Sequence, residues 1–160
     1  MQIREMLPKD WEVVKSIYQK GIDTGIATFQ LKVPEWEYWH QSHLETCRLV
    51  ITENDEIKGW AALSPTSKRE VYKGVCEVSI YIDPLVSGKG FGTFLFEELI
   101  KESEQQGIWT LQSKIFPQNT ASLILHKKMG FREVGVREKI GQRNAVWYDN
   151  VLLERRSIIL

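Results

Sequence analysis

The order of apolar and polar residues along the chain predicts strands and helices in a mixed arrangement. Residues 75–80 form a nearly continuous apolar run, which is typical of a strand buried in a sheet. After residue 92, Phe94, Leu95 and Leu99 mark the apolar face of a helix. The whole pattern predicts a strand at 2–5, a helix at 8–21, a loop at 23–33, a helix from 34, strands at 47–53, 57–64 and 74–82, a helix at 92–106, a strand at 109–115, a helix at 121–128, and strands at 132–140 and 145–153.

The connections between these elements indicate the fold class. Asn54 and Asp55 predict a hairpin turn, and Gly21 is expected to close the first helix. The second helix is expected to carry Trp36, Trp39 and His43. Because hairpins come first and strand–helix–strand units follow, the order predicts an α/β fold with a sheet of mixed strand direction.

Composition and charge narrow the class of protein. The chain has 160 residues, which suits a single domain spanning 1–160. Basic and acidic residues number 21 each, so no net charge attracts nucleic acid or an anionic membrane. Cys47 and Cys76 predict packed core thiols in a reducing compartment, with no metal site. The first residues predict a strand and no apolar signal segment, so a cytoplasmic enzyme is expected.

A glycine-rich loop follows the apolar strand that ends at Pro84. Gly88, Gly90 and Gly92 stand at alternate positions, and a helix begins directly after them. Glycines let the backbone approach a bulky anion, and the positive end of the helix dipole lies at the same place. The loop therefore predicts a phosphate-binding site, although a turn that uses glycine only for its geometry is the alternative.

The spacing separates this loop from two common nucleotide-binding loops. A Walker A loop requires Ser or Thr directly after Gly-Lys, whereas Gly90 follows Lys89. A Rossmann loop would have a third glycine where Thr93 stands, and an acidic residue about twenty positions later. The chain therefore matches neither loop. Because no strong nucleophile, metal cluster or second glycine loop accompanies the 88–92 segment, the phosphates are expected to belong to a carrier cofactor.

Two motifs together resemble those of the GNAT N-acetyltransferases. The segment from Ser87 to Gly92 is similar to motif A of that superfamily, with Ser87 departing from the usual Gln or Arg. Downstream, Asn119 opens a helix that ends at Gly130 and Phe131, which resembles motif B. The chain is most similar to the phosphinothricin and methionine-sulfoximine acetyltransferase branch. That closer resemblance rests on Ile17, Tyr18, Ala27, Thr28, Phe29, Gly59, Trp60, Ala61, residues 77–81, His126, Trp147, Tyr148 and Asp149.

The resemblance implies the GNAT fold, a mixed central sheet with splayed central strands flanked by helices. It also implies acetyl-CoA as the co-substrate, with pantetheine pairing to the central strand where that strand separates from strand 109–115. Asn119 resembles the residue that binds pantetheine, although its alternative role is a helix N-cap. The residues expected to bind acetyl-CoA are Ile80, Tyr81, Ile82, Gly88, Lys89, Gly90, Phe91, Gly92, Thr93, Asn119 and Ser122.

Two residues are candidates for proton transfer. Glu77 stands in an otherwise apolar strand, where burial would raise its pKa toward the range of a general base. The resemblance implies the same role, because a glutamate at this position is the base in the related acetyltransferases. The alternative is a carboxylate that faces solvent by strand alternation. His126 is the candidate acid for the coenzyme A thiolate, and its alternative is a structural histidine.

The resemblance implies that the acceptor is a small amino acid or analogue, of the phosphinothricin, methionine sulfoximine or sulfone type, acetylated at its α-amino group. Arg69 or Lys68 is expected to bind its carboxylate. Two alternatives remain, namely acetylation of another amine, such as a peptide N-terminus or a polyamine, and a non-catalytic acyl-CoA sensor. The resemblance also implies a homodimer. The residues expected to bind the acceptor are Phe29, Ser67, Lys68, Arg69, Val78 and Ser79.

Overall fold

The computed structural model describes residues 1–160 and contains seven strands and four α-helices. Short 3-10 turns precede or follow several of them, at Pro8–Asp10, Glu70–Tyr72 and Pro84–Val86. The elements are β1 (Gln2–Glu5), α1 (Trp11–Asp23), α2 (Trp36–Ser42), β2 (Leu49–Glu53), β3 (Glu56–Pro65), β4 (Val75–Ile82), α3 (Phe91–Gln105), β5 (Thr110–Ile115), α4 (Thr120–Lys128), β6 (Arg132–Arg143) and β7 (Val146–Arg156).

All strands join one sheet in the order β1-β2-β3-β4-β5-β7-β6. Only β4 and β5 are parallel neighbours, and every other pair is antiparallel. At the β2–β3 hairpin, Asn54 and Asp55 both have positive φ, as the hairpin prediction requires. The mixed sheet confirms the predicted α/β fold class.

The two central strands separate soon after they meet. Pairing between β4 and β5 covers Val75 with Thr110, Cys76 with Leu111, and Glu77 with Gln112, and then stops. Beyond Glu77, β4 stays paired with β3 on its other side as far as Ile82. Because no strand covers the β5 side of β4 there, the sheet opens into a cleft, as the splayed-strand prediction anticipated.

Apolar side chains pack on both faces of the sheet. Alternate residues of β3 point to opposite faces, so Ala61 and Leu63 join one cluster while Trp60 and Ala62 join the other. The first cluster packs under α3 and contains both cysteines. The second packs under α1 and α2 and is rich in tryptophan. Burial raises the pKa of Cys47 to about 12 and that of Cys76 to about 11, so both thiols stay protonated.

Several predicted boundaries differ from the structure, and a tertiary contact explains the end of the first helix. Helix α1 continues through Gly21 to Asp23. A Cβ at Gly21 would lie 2.5 Å from the Tyr81 ring, so the glycine permits close packing of α1 on β4 and does not end the helix. Helix α2 ends at Ser42, which leaves His43 as its C-cap. Strands β6 and β7 extend further than predicted and form a long hairpin. None of the helices has the length and hydropathy needed to cross a membrane.

Candidate active site

A cleft of about 1240 Å³ occupies the space between the separating strands. Its walls come from the loop after α1, from β4, from the glycine loop, from the end of β5 and from α4. Glu77 is the only acidic residue that lines it, and Lys114 and Lys128 are the only lysine or arginine residues that do. No group of three or more His, Cys, Asp or Glu side chains is placed to hold a metal ion.

The glycine loop has the geometry of an anion-binding site. Gly88 and Gly90 have φ values of +75° and +87°, which other residues rarely adopt. A Cβ at either position would meet no atom within 4 Å, so the glycines leave open space beside the backbone. Neither N–H group hydrogen-bonds within the protein, and α3 begins at Phe91 with its first amides also unpaired. These donors fit the pyrophosphate of a nucleotide-bearing cofactor.

An ion pair between Lys20 and Asp83 holds the start of the glycine loop in place. Asp83, directly after β4, accepts hydrogen bonds from Lys20 Nζ at 2.9 Å and from the Leu85 amide at 3.1 Å. Although burial opposes its ionisation, these two donors hold the pKa of Asp83 below its ordinary value. The contact ties α1 to the end of β4 and so positions the glycine loop relative to the cleft.

The open edge of β4 supplies backbone groups to the cleft. Residues 78–82 line it, and they include the predicted Val78, Ser79, Ile80 and Ile82. Tyr81 also lines the cleft, but its ring stacks on Trp60 at 5.0 Å and contacts Tyr18. Burial raises the pKa of Tyr81, which keeps the phenol neutral. A contact between Tyr81 and a cofactor would therefore come from its backbone.

The start of α4 forms the opposite wall. Asn119 is the N-cap of α4, and its side-chain oxygen accepts a hydrogen bond from the Ser122 amide at 3.2 Å. Both residues line the cleft, together with the predicted Phe91, Gly92 and Thr93. The N-cap uses the Asn119 oxygen, and its amide nitrogen makes no hydrogen bond within the protein. Both roles considered for Asn119 are thus compatible with the geometry.

His126 is buried and fully hydrogen-bonded. Its side chain packs against the edges of Phe96 and Phe131, and the residue is only 2% exposed. Nδ1 lies 2.8 Å from the Ser122 carbonyl oxygen, which assigns the ring proton to Nδ1 and makes Nε2 the acceptor of the Ser113 hydroxyl at 2.8 Å. Burial lowers the pKa of His126 to about 4, so the ring is neutral at neutral pH.

This geometry changes what the predicted acid can do. A neutral imidazole whose proton is held by a carbonyl has none to give to a thiolate directly. Ser113, which lines the cleft, is the group that stands next to His126 Nε2. Ser113 was not among the predicted site residues, because nothing in the local pattern of β5 shows that Ser113 meets a residue of α4.

Glu77 forms an ion pair that the sequence analysis also missed. Its Oε2 lies 2.7 Å from Nζ of Lys114, and the two side chains are 31% and 38% exposed respectively. The premise of a buried, isolated carboxylate was therefore wrong, since Glu77 is partly exposed and paired with a cation. The pair follows from the register that sets Gln112 opposite Glu77, with Lys114 on the same face two residues further along β5, and the sequence does not specify that register.

Aromatic rings and one amide complete this side of the cleft. Phe29 contacts Phe116 at 4.6 Å between ring centroids, and Phe116 stacks on Tyr148 at 5.2 Å. Asn150 is buried, lines the cleft and accepts a hydrogen bond from Arg137 Nε at 2.9 Å. An apolar wall beside an ion pair is a suitable environment for a small polar molecule with an aliphatic body.

Four predicted residues lie away from the cleft lining. Ser67, Lys68 and Arg69 precede β4 on the surface, and the Arg69 guanidinium stands over the Tyr72 ring at 5.5 Å. None of the three is among the residues that line the cleft, and neither is Lys89, which is exposed on the glycine loop. The structure brings together the other predicted residues around one cavity.

A protein-family profile and a known enzyme match most of this chain. The sequence profile of the acetyltransferase (GNAT) family matches residues 5–131. The L-methionine sulfoximine/L-methionine sulfone acetyltransferase of Pseudomonas aeruginosa is 30% identical over 158 residues, covering 95% of this chain and 92% of the relative.

Solved structures with similar folds include two acetyltransferases. A GNAT superfamily phosphinothricin acetyltransferase from Sinorhizobium meliloti, in complex with AcCoA, is 25% identical with a TM-score of 0.87, covering 97% of this chain and 87% of that one. The ribosomal-protein-alanine N-acetyltransferase from Brucella melitensis is 26% identical with a TM-score of 0.89, covering 98% and 100% respectively.

Proposed function

Because the chain belongs to the acetyltransferase (GNAT) family, we propose that it transfers the acetyl group of acetyl-CoA to the α-amino group of a small amino acid or analogue. The acceptor class is that of phosphinothricin, methionine sulfoximine or methionine sulfone, which the names of two relatives carry. The observation that supports this most strongly is the placement of Glu77. It stands where β4 and β5 separate, in the same cleft as the glycine loop.

The chain's own residues supply binding, orientation and proton transfer. Acetyl-CoA, when bound, supplies the activated acetyl thioester. The amides of the glycine loop and of the first turn of α3 bind its pyrophosphate, and the open edge of β4 pairs with its pantetheine arm. A backbone N–H of residues 80–82 donates to the acetyl carbonyl oxygen as negative charge develops there.

Glu77 carries out the proton transfer that the attack requires. It takes a proton from the acceptor's ammonium, directly or through a water, which frees the nitrogen to attack the carbonyl carbon. When the carbon–sulfur bond breaks, the thiolate leaves and takes up the second proton of the attacking nitrogen, directly or through a water. The Ser113 hydroxyl donates to His126 Nε2, so its oxygen stays free to accept a hydrogen bond from that water or from the thiol that forms.

An acceptor panel tests the proposed function. Release of free thiol from acetyl-CoA is followed with phosphinothricin, methionine sulfone, an alanine-starting peptide and spermidine as separate acceptors. We expect the two amino acids to give the highest kcat/KM. A higher value for the peptide would favour the activity named for the Brucella neighbour. Acetyl-CoA binding without thiol release for any acceptor would favour an acyl-CoA sensor.

We also propose a homodimer that uses the β6–β7 hairpin. Apolar side chains stand exposed on this hairpin at Val134, Val136, Ile140, Val146 and Trp147. A second copy of the chain is the partner because the net charge is zero and does not oppose self-association. Light scattering after size exclusion should give twice the monomer mass, and Trp147→Glu should shift it toward the monomer.

The two reduced thiols support a cytoplasmic location.

A further inference from the structure

We propose that Lys114 binds the α-carboxylate of the acceptor while Glu77 binds its α-ammonium, so that the Glu77–Lys114 pair is the receptor for an amino-acid zwitterion. This assignment rests on the proposed function, since it requires an amino acid as the acceptor. It gives the carboxylate-binding role to a residue of β5, in place of Lys68 or Arg69 on the surface before β4.

Glu77 and Lys114 lie side by side in the cleft. Glu77 occupies the last position of β4 that pairs with β5, and Lys114 lies on the same face of β5, two residues beyond the partner of Glu77. The two charged groups are 2.7 Å apart, and both side chains line the cleft. Each is about one-third exposed, so a molecule that enters the cleft can reach both without unfolding anything.

Few basic side chains stand near the cleft, and their positions single out Lys114. Of the two lysines that line the cleft, Lys128 lies 3.4 Å from Thr93 Oγ1 at the start of α3, on the side of the glycine loop. Two arginines of the β6–β7 hairpin do not line the cleft: Arg137 donates to Asn150, and Arg143 donates to the Ile22 carbonyl. Lys114 is therefore the one cation that lines the cleft beside Glu77.

The two charges of an amino-acid zwitterion complement those of the Glu77–Lys114 pair. An α-amino acid carries its ammonium and carboxylate on one carbon, so it can replace the direct Glu77–Lys114 contact with two ion pairs in a row. When Glu77 and Lys114 separate, each gains an oppositely charged group of the amino acid, so neither side chain is left as an unpaired ion in the cleft. The arrangement also places the ammonium at the group that must remove its proton. A polyamine would bring a second cation against Lys114, and a peptide N-terminus has no α-carboxylate there.

The test is a cycle of enzyme and substrate changes. Lys114→Met is compared with Lys114→Arg, and methionine sulfone is compared with its carboxamide, in steady-state assays at saturating acetyl-CoA. Lys127→Met is the matched control, because Lys127 is exposed, pairs with Glu133 and does not line the cleft. Arg69→Met tests the alternative carboxylate-binding residue. Thermal melts and acetyl-CoA titrations establish that each variant is folded and binds the co-substrate.

We expect Lys114→Met to lower kcat/KM for methionine sulfone by about ten- to a hundredfold, mainly through KM, because a charge-assisted contact is lost. The carboxamide should be a poor substrate for the parent and should not worsen with Lys114→Met. Lys114→Arg should retain much of the activity. Lys127→Met and Arg69→Met should change the kcat/KM for methionine sulfone less than threefold.

Three results would overturn the assignment. An equal fold-loss on acid and carboxamide would mean that Lys114 acts only through Glu77. No loss with Lys114→Met would remove Lys114 from acceptor binding, and a selective loss with Arg69→Met would give the role to Arg69. In these cases the parent still acetylates methionine sulfone, so the proposed function stands. A parent that acetylates no amino acid would refute both proposals.

Discussion

Glu77 on β4 and Gln112 on β5 form the last paired position before the two central strands separate. The single acidic residue that lines the cleft therefore lies at the closed end of the opening, beside Lys114 on the neighbouring strand. Everything further along β4 has a free edge on that side, as far as the glycine loop. This arrangement puts the proposed base at one end of the cleft and the amides proposed to bind pyrophosphate at the other.

Replacing Gly90 should weaken acetyl-CoA binding. In Gly90→Val the side chain enters the open space beside the backbone, where the pyrophosphate is proposed to lie. We expect the dissociation constant measured by calorimetry to rise by at least about tenfold, since several phosphate contacts are disturbed together.

Gly107→Val is the matched control for backbone strain. Gly107 also has positive φ, +76°, with no atom within 4 Å of an added Cβ, but it follows α3 at its far end. Both variants should lose about 1–3 kcal/mol of folding stability from the strained φ. Equal acetyl-CoA affinity in the two variants would refute the role of the loop.

Glu77→Gln should separate binding from chemistry. The amide keeps the shape of the side chain but cannot take the ammonium proton, so kcat should fall by about a hundredfold or more while acetyl-CoA affinity is retained. Raising the pH should partly restore activity as free amine becomes abundant. A parent-like pH–rate profile would show that Glu77 is structural.

His126 should make folding stability depend on pH. Its pKa in the folded protein is lowered to about 4 from the model-compound value of 6.5, so the unfolded chain binds the proton more readily. The stability from the neutral, buried ring is complete above pH 6.5 and is lost as the pH falls toward 4. Within that window the slope should approach about 1.4 kcal/mol per pH unit.

A comparison of variants isolates that slope. Burial also lowers the pKa of His43, which contributes in the same direction, so the parent alone is not sufficient. Urea unfolding between pH 4 and 7 should give a smaller slope in His126→Gln than in the parent. The carboxylates of Asp10 and Asp83 act below this window, because their pKa values are lowered from 3.8. An unchanged slope would contradict the buried neutral histidine.

Gly21→Ala should destabilise the protein, although alanine normally favours a helix over glycine by about 1 kcal/mol. The new Cβ would lie 2.5 Å from Tyr81 Cδ1, in a ring that is buried between Tyr18 and Trp60. Gly135→Ala is the control, because no atom lies within 4 Å of its added Cβ. A melting temperature of Gly21→Ala at or above that of the parent would contradict the packing of α1 on β4.

The part of the site that could be predicted is the part encoded within short segments. Gly88 and Gly90 predict an anion-binding loop, because their spacing and the following helix lie within a few residues. Asn119 likewise marks the start of α4 through its own capping preference. The separation of β4 and β5 was anticipated only through resemblance to a family, since no local pattern encodes where two strands stop pairing.

The part that could not be predicted depends on contacts between distant segments. Lys114 meets Glu77 across 37 residues, and Ser113 meets His126 from a strand to a helix. Their partners follow from the register of β5, which local propensity does not specify. Gly21 was interpreted as a helix end from its residue type, whereas its role comes from the ring of Tyr81 on another element.

The most direct test of the central claim uses acetyl-CoA carrying an isotopic label in the acetyl carbonyl. After incubation with the protein and methionine sulfone, NMR identifies where the label resides while free thiol is titrated in parallel. We expect labelled N-acetyl amide on the α-nitrogen in equal amount to the thiol released, with a rate about a hundredfold lower in Glu77→Gln. Label recovered as free acetate, or label that stays on coenzyme A, would refute acetyl transfer to the amino acid.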